Sequence, residues 1–204
     1  MVVRENLKET QLNKTKTERG LVLFALIVSV IVLIFTLLGH FVYFNVKVVG
    51  SSMSPTLYGG TLNNANGDLL FANKLIEPKR GDIVIIALDG EKDWIIKRVI
   101  AVEGDVVDIY GGYVYVNGNK IEEPYANNYG GTEELFWEEY TLQKGEYFYL
   151  GDNRKHNASK DSRASGKPCS REEIIGVVEN WSIAVKNVIR EIIYLPQNIL
   201  GLFS

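Results

Sequence analysis

From Leu21 to Leu38 the chain reads LVLFALIVSVIVLIFTLL, 18 residues in which only Ser29 and Thr36 are polar, and no formal charge falls between Arg19 and Lys47. At about 1.5 Å per residue, such a run and its flanks cross a hydrocarbon core of about 30 Å. A buried core helix is the alternative that the length disfavours. A cleaved signal peptide would carry an apolar region of about 7–15 residues ahead of a small-residue cut site. Here the run is longer, and bulky Phe41, Tyr43 and Phe44 follow it. The reading is an uncleaved signal anchor over residues 20–44.

The flanks set its direction. Arg4, Lys8, Lys14, Lys16 and Arg19 precede the run, while Lys47 is the only Lys or Arg in the 20 or so residues after it. Positive charge stays inside, so residues 1–19 are expected as a mobile cytoplasmic tail with at most a frayed helix, and residues 45–204 as an extracytoplasmic domain. A chain of 204 residues supplies one well-buried domain beside such an anchor. The net charge of −3, with scattered rather than clustered Lys and Arg, gives no field for a phosphate backbone, which excludes nucleic acid as the partner. Cys169 is the only cysteine, so no intrachain disulfide forms, and no Cys and His spacing suggests a metal site.

Beyond the anchor, short β-branched and aromatic runs alternate with turn signals. DLLFANKL, DIVIIAL, WIIKRVIAV, DVVDIY, YVYVNG and YFYLG read as strands of a mainly β domain. Asn117 and Gly118 tolerate the positive φ of a tight hairpin turn. Glu122 to Glu139 reads as a polar and aromatic insertion without a period, either a surface excursion or a substrate-facing flap. Ser182 to Ser204 is apolar but interrupted by Lys186, Arg190, Glu191, Pro196 and Gln197. That pattern predicts an amphipathic helix, lying in the membrane interface or packed on the domain, rather than a second span.

Three stretches carry chemistry. The first is GSSMSPTL, Gly50 to Leu57, a polar turn just past the anchor in which Ser51, Ser52 and Ser54 are all candidate nucleophiles. The second is the strand around Lys97, whose alternation places Lys97 with Ile95, Val99 and Ala101, and Arg98 with Ile96 and Ile100. A lysine becomes a general base near neutrality only if its pKa falls by about three units from about 10.4, and an apolar strand face supplies the desolvation. The alternative for Lys97 is a stem that snorkels along that face. The third is YLGDNRKHNASKDSRASG, Tyr149 to Gly166, either a solvated loop or a set of charges, amides and hydroxyls that orients a catalytic amine.

In order along the chain, the anchor, GSSMSPTL, KRGDIVII (Lys79 to Ile86), IKRVIAVEGD (Ile96 to Asp105) and GDNR with SKDSR resemble the type I signal peptidase family. The resemblance implies a coiled antiparallel, barrel-like β fold that cleaves signal peptides from exported proteins without metal or cofactor. It implies that Ser52, directly before Met53, is the nucleophile and Lys97 its general base. It also implies that the Ser159 hydroxyl helps hold the lysine amine, and that Asp161, Arg163 and Arg98 form a supporting ion-pair cluster. Gly151, Asp152, Asn153 and Arg154 match the structural start of that box. Two positions depart from the family pattern. Six residues, Lys155 to Lys160, separate the two arginine-containing elements where four are usual, and Gly50 occupies the place of a hydroxyl residue that donates to the oxyanion in some members. The Ser52 N–H then remains as a donor, with Gly50, Ser51 and Met53 shaping its turn. An inert membrane-tethered module keeps the fold but tolerates loss of the serine or lysine, and both are present. A self-cleaving repressor shares the chemistry, but the apolar span argues against it.

Overall fold

The computed structural model describes residues 2–60, 67–88, 94–127, 137–155 and 157–193. It divides into two units, Met1–Val42 and Tyr43–Ser204. The first is a single helix, α1 (Val2–Val42). Its stretch Lys16–Val42 is apolar and long enough to cross a membrane, and none of its core window is buried inside the molecule. The two hydroxyls that interrupt the run are used within the helix: Ser29 Oγ donates to Ala25 O and Thr36 Oγ1 to Val32 O, each at 2.8 Å. Neither then presents an unsatisfied donor to hydrocarbon. The segment expected as a tail is helical from Val2, since Arg, Glu, Lys, Leu and Gln are good helix formers and no Gly or Pro occurs before Gly20.

The second unit contains β1 (Tyr43–Lys47), β2 (Leu69–Asn73), β3 (Ile83–Ile86), β4 (Ile95–Ala101), β5 (Val106–Tyr110), β6 (Tyr113–Val116), β7 (Asn119–Lys120), β8 (Trp137–Thr141), β9 (Glu146–Leu150), α2 (Ser162–Ser165), β10 (Cys169–Ser170), β11 (Ile174–Val178) and α3 (Asn180–Ile193). A seven-stranded sheet runs β1-β2-β11-β3-β4-β9-β10, and a four-stranded sheet runs β7-β6-β5-β8. Every strand pairing among the described residues is antiparallel. The fold is mainly β, a curled half-barrel, as expected. Among the described residues β1 lies at an edge of its sheet and pairs with β2 alone.

The apolar run of β3 is continuous because both its faces are covered. Ile83 and Ile85 join Val48, Met53, Leu57, Leu70 and Ile96 in one core cluster, while Val84 and Ile86 join Val99, Tyr149 and Val177 in another. A third cluster packs Val107, Ile109, Val114 and Val116 of the smaller sheet against Phe148 and Leu150 of β9. One facing assignment is corrected here. Ala101 joins Ile100 in this third cluster, since pairing with β9 shifts register between Val99 and Ala101. Asn117 (φ 55°) and Gly118 (φ 74°) make the tight turn between β6 and β7.

Two elements differ from the expectation, and α3 takes the packed alternative of the two given for it. β1 begins at Tyr43, inside the stretch read as the anchor, with Phe44 and Val46 turned towards the core. The insertion is not a single excursion. Its first residues dock beneath the GDNR loop, Asn127 N donating to Asp152 O at 2.7 Å, and its end forms β8, with Trp137 edge-on to Phe148 at 5.0 Å. Residues 128–136 lie outside the described residues, as do the Asn- and Gly-rich loop at 61–66, the DGEKD turn at 89–93, His156 and residues 194–204. α3 packs on the domain through Ser182, Ile183 and Lys186, with Trp181 stacked on Phe71 at 5.3 Å and Val185 exposed.

Candidate active site

The GSSMSPTL turn is held by its own pattern. Val48, Met53 and Leu57 are buried in one cluster, while Ser51 between them is exposed and Ser52, Ser54 and Thr56 are half-buried. Gly50, at φ 80°, starts a tight turn that any Cβ would strain. Ser54 N donates to Ser51 O at 3.0 Å, closing a turn around Ser52, and Leu57 N donates to Met53 O at 2.8 Å, closing a second turn just after it. A second strut comes from the GDNR loop: Asn153 N donates to Ser52 O at 3.0 Å and Asn153 Nδ2 to Ser51 O at 3.1 Å. Asn153 therefore holds the Ser52 carbonyl and that of Ser51.

Of the three candidate hydroxyls, Ser52 is the one that meets the lysine. Lys97 Nζ lies 3.0 Å from Ser52 Oγ and donates to Ile96 O at 2.8 Å. The Lys97 side chain is 2 % exposed, so it is a core group and not a snorkelling stem. Burial pushes its amine down from 10.5 to about 8, against the opposing pull of the Asp161 and Asp152 carboxylates. Desolvation prevails because both carboxylates are already engaged by arginines. Arg163 grips Asp161 through Nε (2.9 Å) and a second guanidinium nitrogen (2.6 Å), and Arg98 grips Asp152 the same way (2.8 and 2.7 Å). The single cluster expected from Asp161, Arg163 and Arg98 is thus two separate pairs. Arg98 belongs with Asp152, and its guanidinium lies 4.0 Å above the Tyr125 ring.

Asp161 also accepts from Gly151 N at 3.1 Å and caps α2 through Arg163 N. A Cβ on Gly151 would stand 2.4 Å from Ser159 Oγ and 2.5 Å from Ser52 O, so only glycine lets these two serines approach. Ser159 Oγ is buried and has no hydrogen-bond partner among the described residues. It is brought to the site but makes no bond to Lys97. Gly50 N donates to Gly60 O at 3.1 Å, and no hydrogen bond among the described residues claims the N–H of Ser52.

Sequence reading missed Glu123. It is 2 % exposed, pairs with the buried Arg154 and accepts from Tyr125 O–H at 3.0 Å. Arg154 Nε in turn donates to Gly151 O at 2.9 Å, which ties Glu123 to the loop beside Ser52. The only available signal was that a buried arginine needs a carboxylate. In front of Ser52 and Lys97 opens a groove of about 840 Å³, walled by Val46 to Val49 on one side and Trp94 to Ile96 on the other, with Lys160 along it.

A hydroxyl beside a desolvated amine, on a turn fixed at its carbonyl and open at its N–H, has the parts of a serine–lysine acyl-transfer site in a mainly β fold. The sequence pattern of the family described as signal peptidase, peptidase S26, matches residues 21–182, and the chain belongs to that family. Signal peptidase I T of Bacillus subtilis (strain 168) is 35% identical over 160 residues, 73% of this chain and 78% of that protein. Signal peptidase I of Bacillus amyloliquefaciens is 37% identical over 151 residues, 69% of this chain and 74% of that protein. A solved signal peptidase I from Enterococcus faecalis V583 aligns at 25% identity and a TM-score of 0.42, covering 51% of this chain and 98% of that one.

Proposed function

We propose that this chain is a membrane-bound serine endopeptidase that removes N-terminal signal peptides from exported preproteins, cutting after small residues with Ser52 as nucleophile and Lys97 as general base. The observation that carries the mechanism is the 3.0 Å approach of a buried lysine amine to one serine hydroxyl of three. With the amine near 8, about a tenth of Lys97 is neutral at pH 7, against a few in ten thousand for an ordinary lysine.

Neutral Lys97 takes the Ser52 proton as Oγ bonds to the scissile carbonyl carbon, and the Ser52 N–H donates to the developing oxyanion. An oxyanion donor of this kind is worth about 3 kcal/mol. The C–N bond then breaks and the Lys97 ammonium returns its proton to the leaving amine, which frees the mature protein. A water deprotonated by the same lysine attacks the acyl-enzyme and releases the signal peptide with Ser52 restored. The Ser159 hydroxyl, unbonded to Lys97 in this structure, is given the role of steadying the amine through these transfers on the family resemblance of SKDSR. The Asp161–Arg163 and Arg98–Asp152 pairs hold the loop, and no cofactor or metal enters the scheme.

An extended substrate fits the groove between Val46–Val49 and Trp94–Ile96, where the unpaired edge of β1 can add a strand. Residues 20–42 anchor the enzyme once through the plasma membrane, with residues 1–19 cytoplasmic and 43–204 outside, on the strength of the Lys and Arg before the span. Contact with lipid confines enzyme and signal peptide to one layer and raises their effective concentration. Cleavage of a synthetic preprotein in detergent by wild type, Ser52→Ala and Lys97→Met tests the assignment. Cutting after a small residue by wild type alone is expected, and activity retained in either variant would refute it.

A further inference from the structure

The segment that carries Ser52 leaves the sheet at Val48 and returns at Asp68. Its ends are closed by Val48 N to Asp68 O (2.9 Å), Gly60 N to Val48 O (3.2 Å) and Asp68 N to Tyr58 O (2.9 Å). One further tie reaches it from the far end of the chain. Where β11 stops at Val178, α3 takes over its hydrogen bonding to β2: Glu179 N donates to Phe71 O at 3.2 Å, and Phe71 N donates to Ser182 Oγ at 2.8 Å. One helical turn beyond Ser182, on the same buried face, stands Lys186.

Lys186 is 7 % exposed, and its Nζ donates to Thr56 O and lies 3.2 Å from Asp68 Oδ2, which itself accepts from Tyr58 N at 2.8 Å. A buried ammonium demands its partners, so their positions are coupled to the helix. Thr56 precedes Leu57, whose N–H closes the turn on Met53, the residue after Ser52. Lys186 therefore grips the nucleophile turn from one side while Asn153 grips it from the other. It lies beyond residues 21–182, the part matched by the family pattern.

We propose that Lys186 is a positioning residue for the nucleophile, joining α3 to the Ser52 turn through the Thr56 carbonyl and Asp68. This rests on Ser52 being the nucleophile. Because Lys186 touches neither the base nor the groove, its loss displaces Ser52 Oγ from Lys97 without altering substrate binding or the titration of Lys97. A displacement of about 1 Å costs about a hundredfold in rate.

The test uses the full chain in detergent, with kcat and KM on a synthetic preprotein expressed per site that an electrophilic serine reagent labels. Lys186→Met should lower kcat about tenfold to a hundredfold, leave KM within about twofold and leave the acid limb of the pH profile in place. Lys186→Arg, whose guanidinium can still reach both oxygens, should recover most of the loss. A wild-type kcat per labelled site in Lys186→Met would overturn the proposal, as would a failure of Lys186→Arg to recover more than Lys186→Met. If Lys186→Met does not fold, Asp68→Asn decides: a several-fold fall in kcat supports the tie, and an unchanged kcat refutes it. If wild type labels at Ser52 but cuts no preprotein, the proposed substrate fails instead, and the labelling rates of the same variants still read the tie.

Discussion

Replacing Lys97 by methionine should abolish activity and at the same time stabilise the fold at neutral pH. Burial holds the amine at about 8 where an unfolded lysine sits at 10.5. Below pH 8 both states are protonated, and the folded state bears the full cost of a charge it disfavours. At about 1.4 kcal/mol per pH unit that cost is about 3 kcal/mol. Between pH 8 and 10.5 the unfolded chain holds the extra proton, so wild-type stability rises with pH and the cost is gone above 10.5. Methionine keeps the buried stem and carries no such cost. It also loses the bonds to Ser52 Oγ and Ile96 O, a pH-independent offset of about 1 kcal/mol each. Urea denaturation of the full chain in detergent, followed by the fluorescence of Trp94, Trp137 and Trp181, measures both proteins from pH 6 to 10.5. The stability of Lys97→Met relative to wild type should be flat below pH 8 and then fall by about 3 kcal/mol in all. A difference that does not change between pH 7 and 10.5 would refute the claim that Lys97 is desolvated.

Asp161→Asn removes the larger of the two charges that hold the Lys97 amine up, so the acid limb of the kcat/KM profile should move below pH 8 even as turnover falls; a limb that moves upwards contradicts this. Glu123→Ala strands the buried Arg154 and should cost about 3–5 kcal/mol, read from the urea midpoint. Gly151→Ala places a methyl 2.5 Å from Ser52 O and should lower preprotein cleavage about a hundredfold by shifting the nucleophile. Wild-type rates in that variant would show that the loop yields without moving Ser52.

The parts of this molecule that were legible in its sequence are those whose signal is local. The continuous apolar run of β3, the β-branched residues flanking Lys97 and Arg98 in β4, the Asn117–Gly118 turn and the hydroxyl-rich turn around Met53 each announce themselves within a few residues. β1 did not, because Tyr43 to Lys47 follows directly on an apolar helix and its alternation lasts only 5 residues. β7 and β10, at 2 residues each, are too short to show a period. Charge pairing is non-local and was read less well. Arg98 lies close to neither Asp152 nor Asp161 in the chain, and the register of β4 against β9, which sets Arg98 opposite Leu150, decides in favour of Asp152. Glu123 looked like part of a polar insertion because its partner, Arg154, lies 31 residues on. The tie from Lys186 to Thr56, across 130 residues, is likewise a product of tertiary folding.

The central claim is that Lys97 takes the proton from Ser52, and the rate at which an electrophilic serine reagent acylates the enzyme as pH is raised tests it most directly, with the labelled residue identified by mass spectrometry. Wild type should react at Ser52 with a midpoint near 8 and a plateau above it, and Lys97→Met should lose the reaction throughout that range. Acylation of Ser52 at the wild-type rate in Lys97→Met would contradict the account.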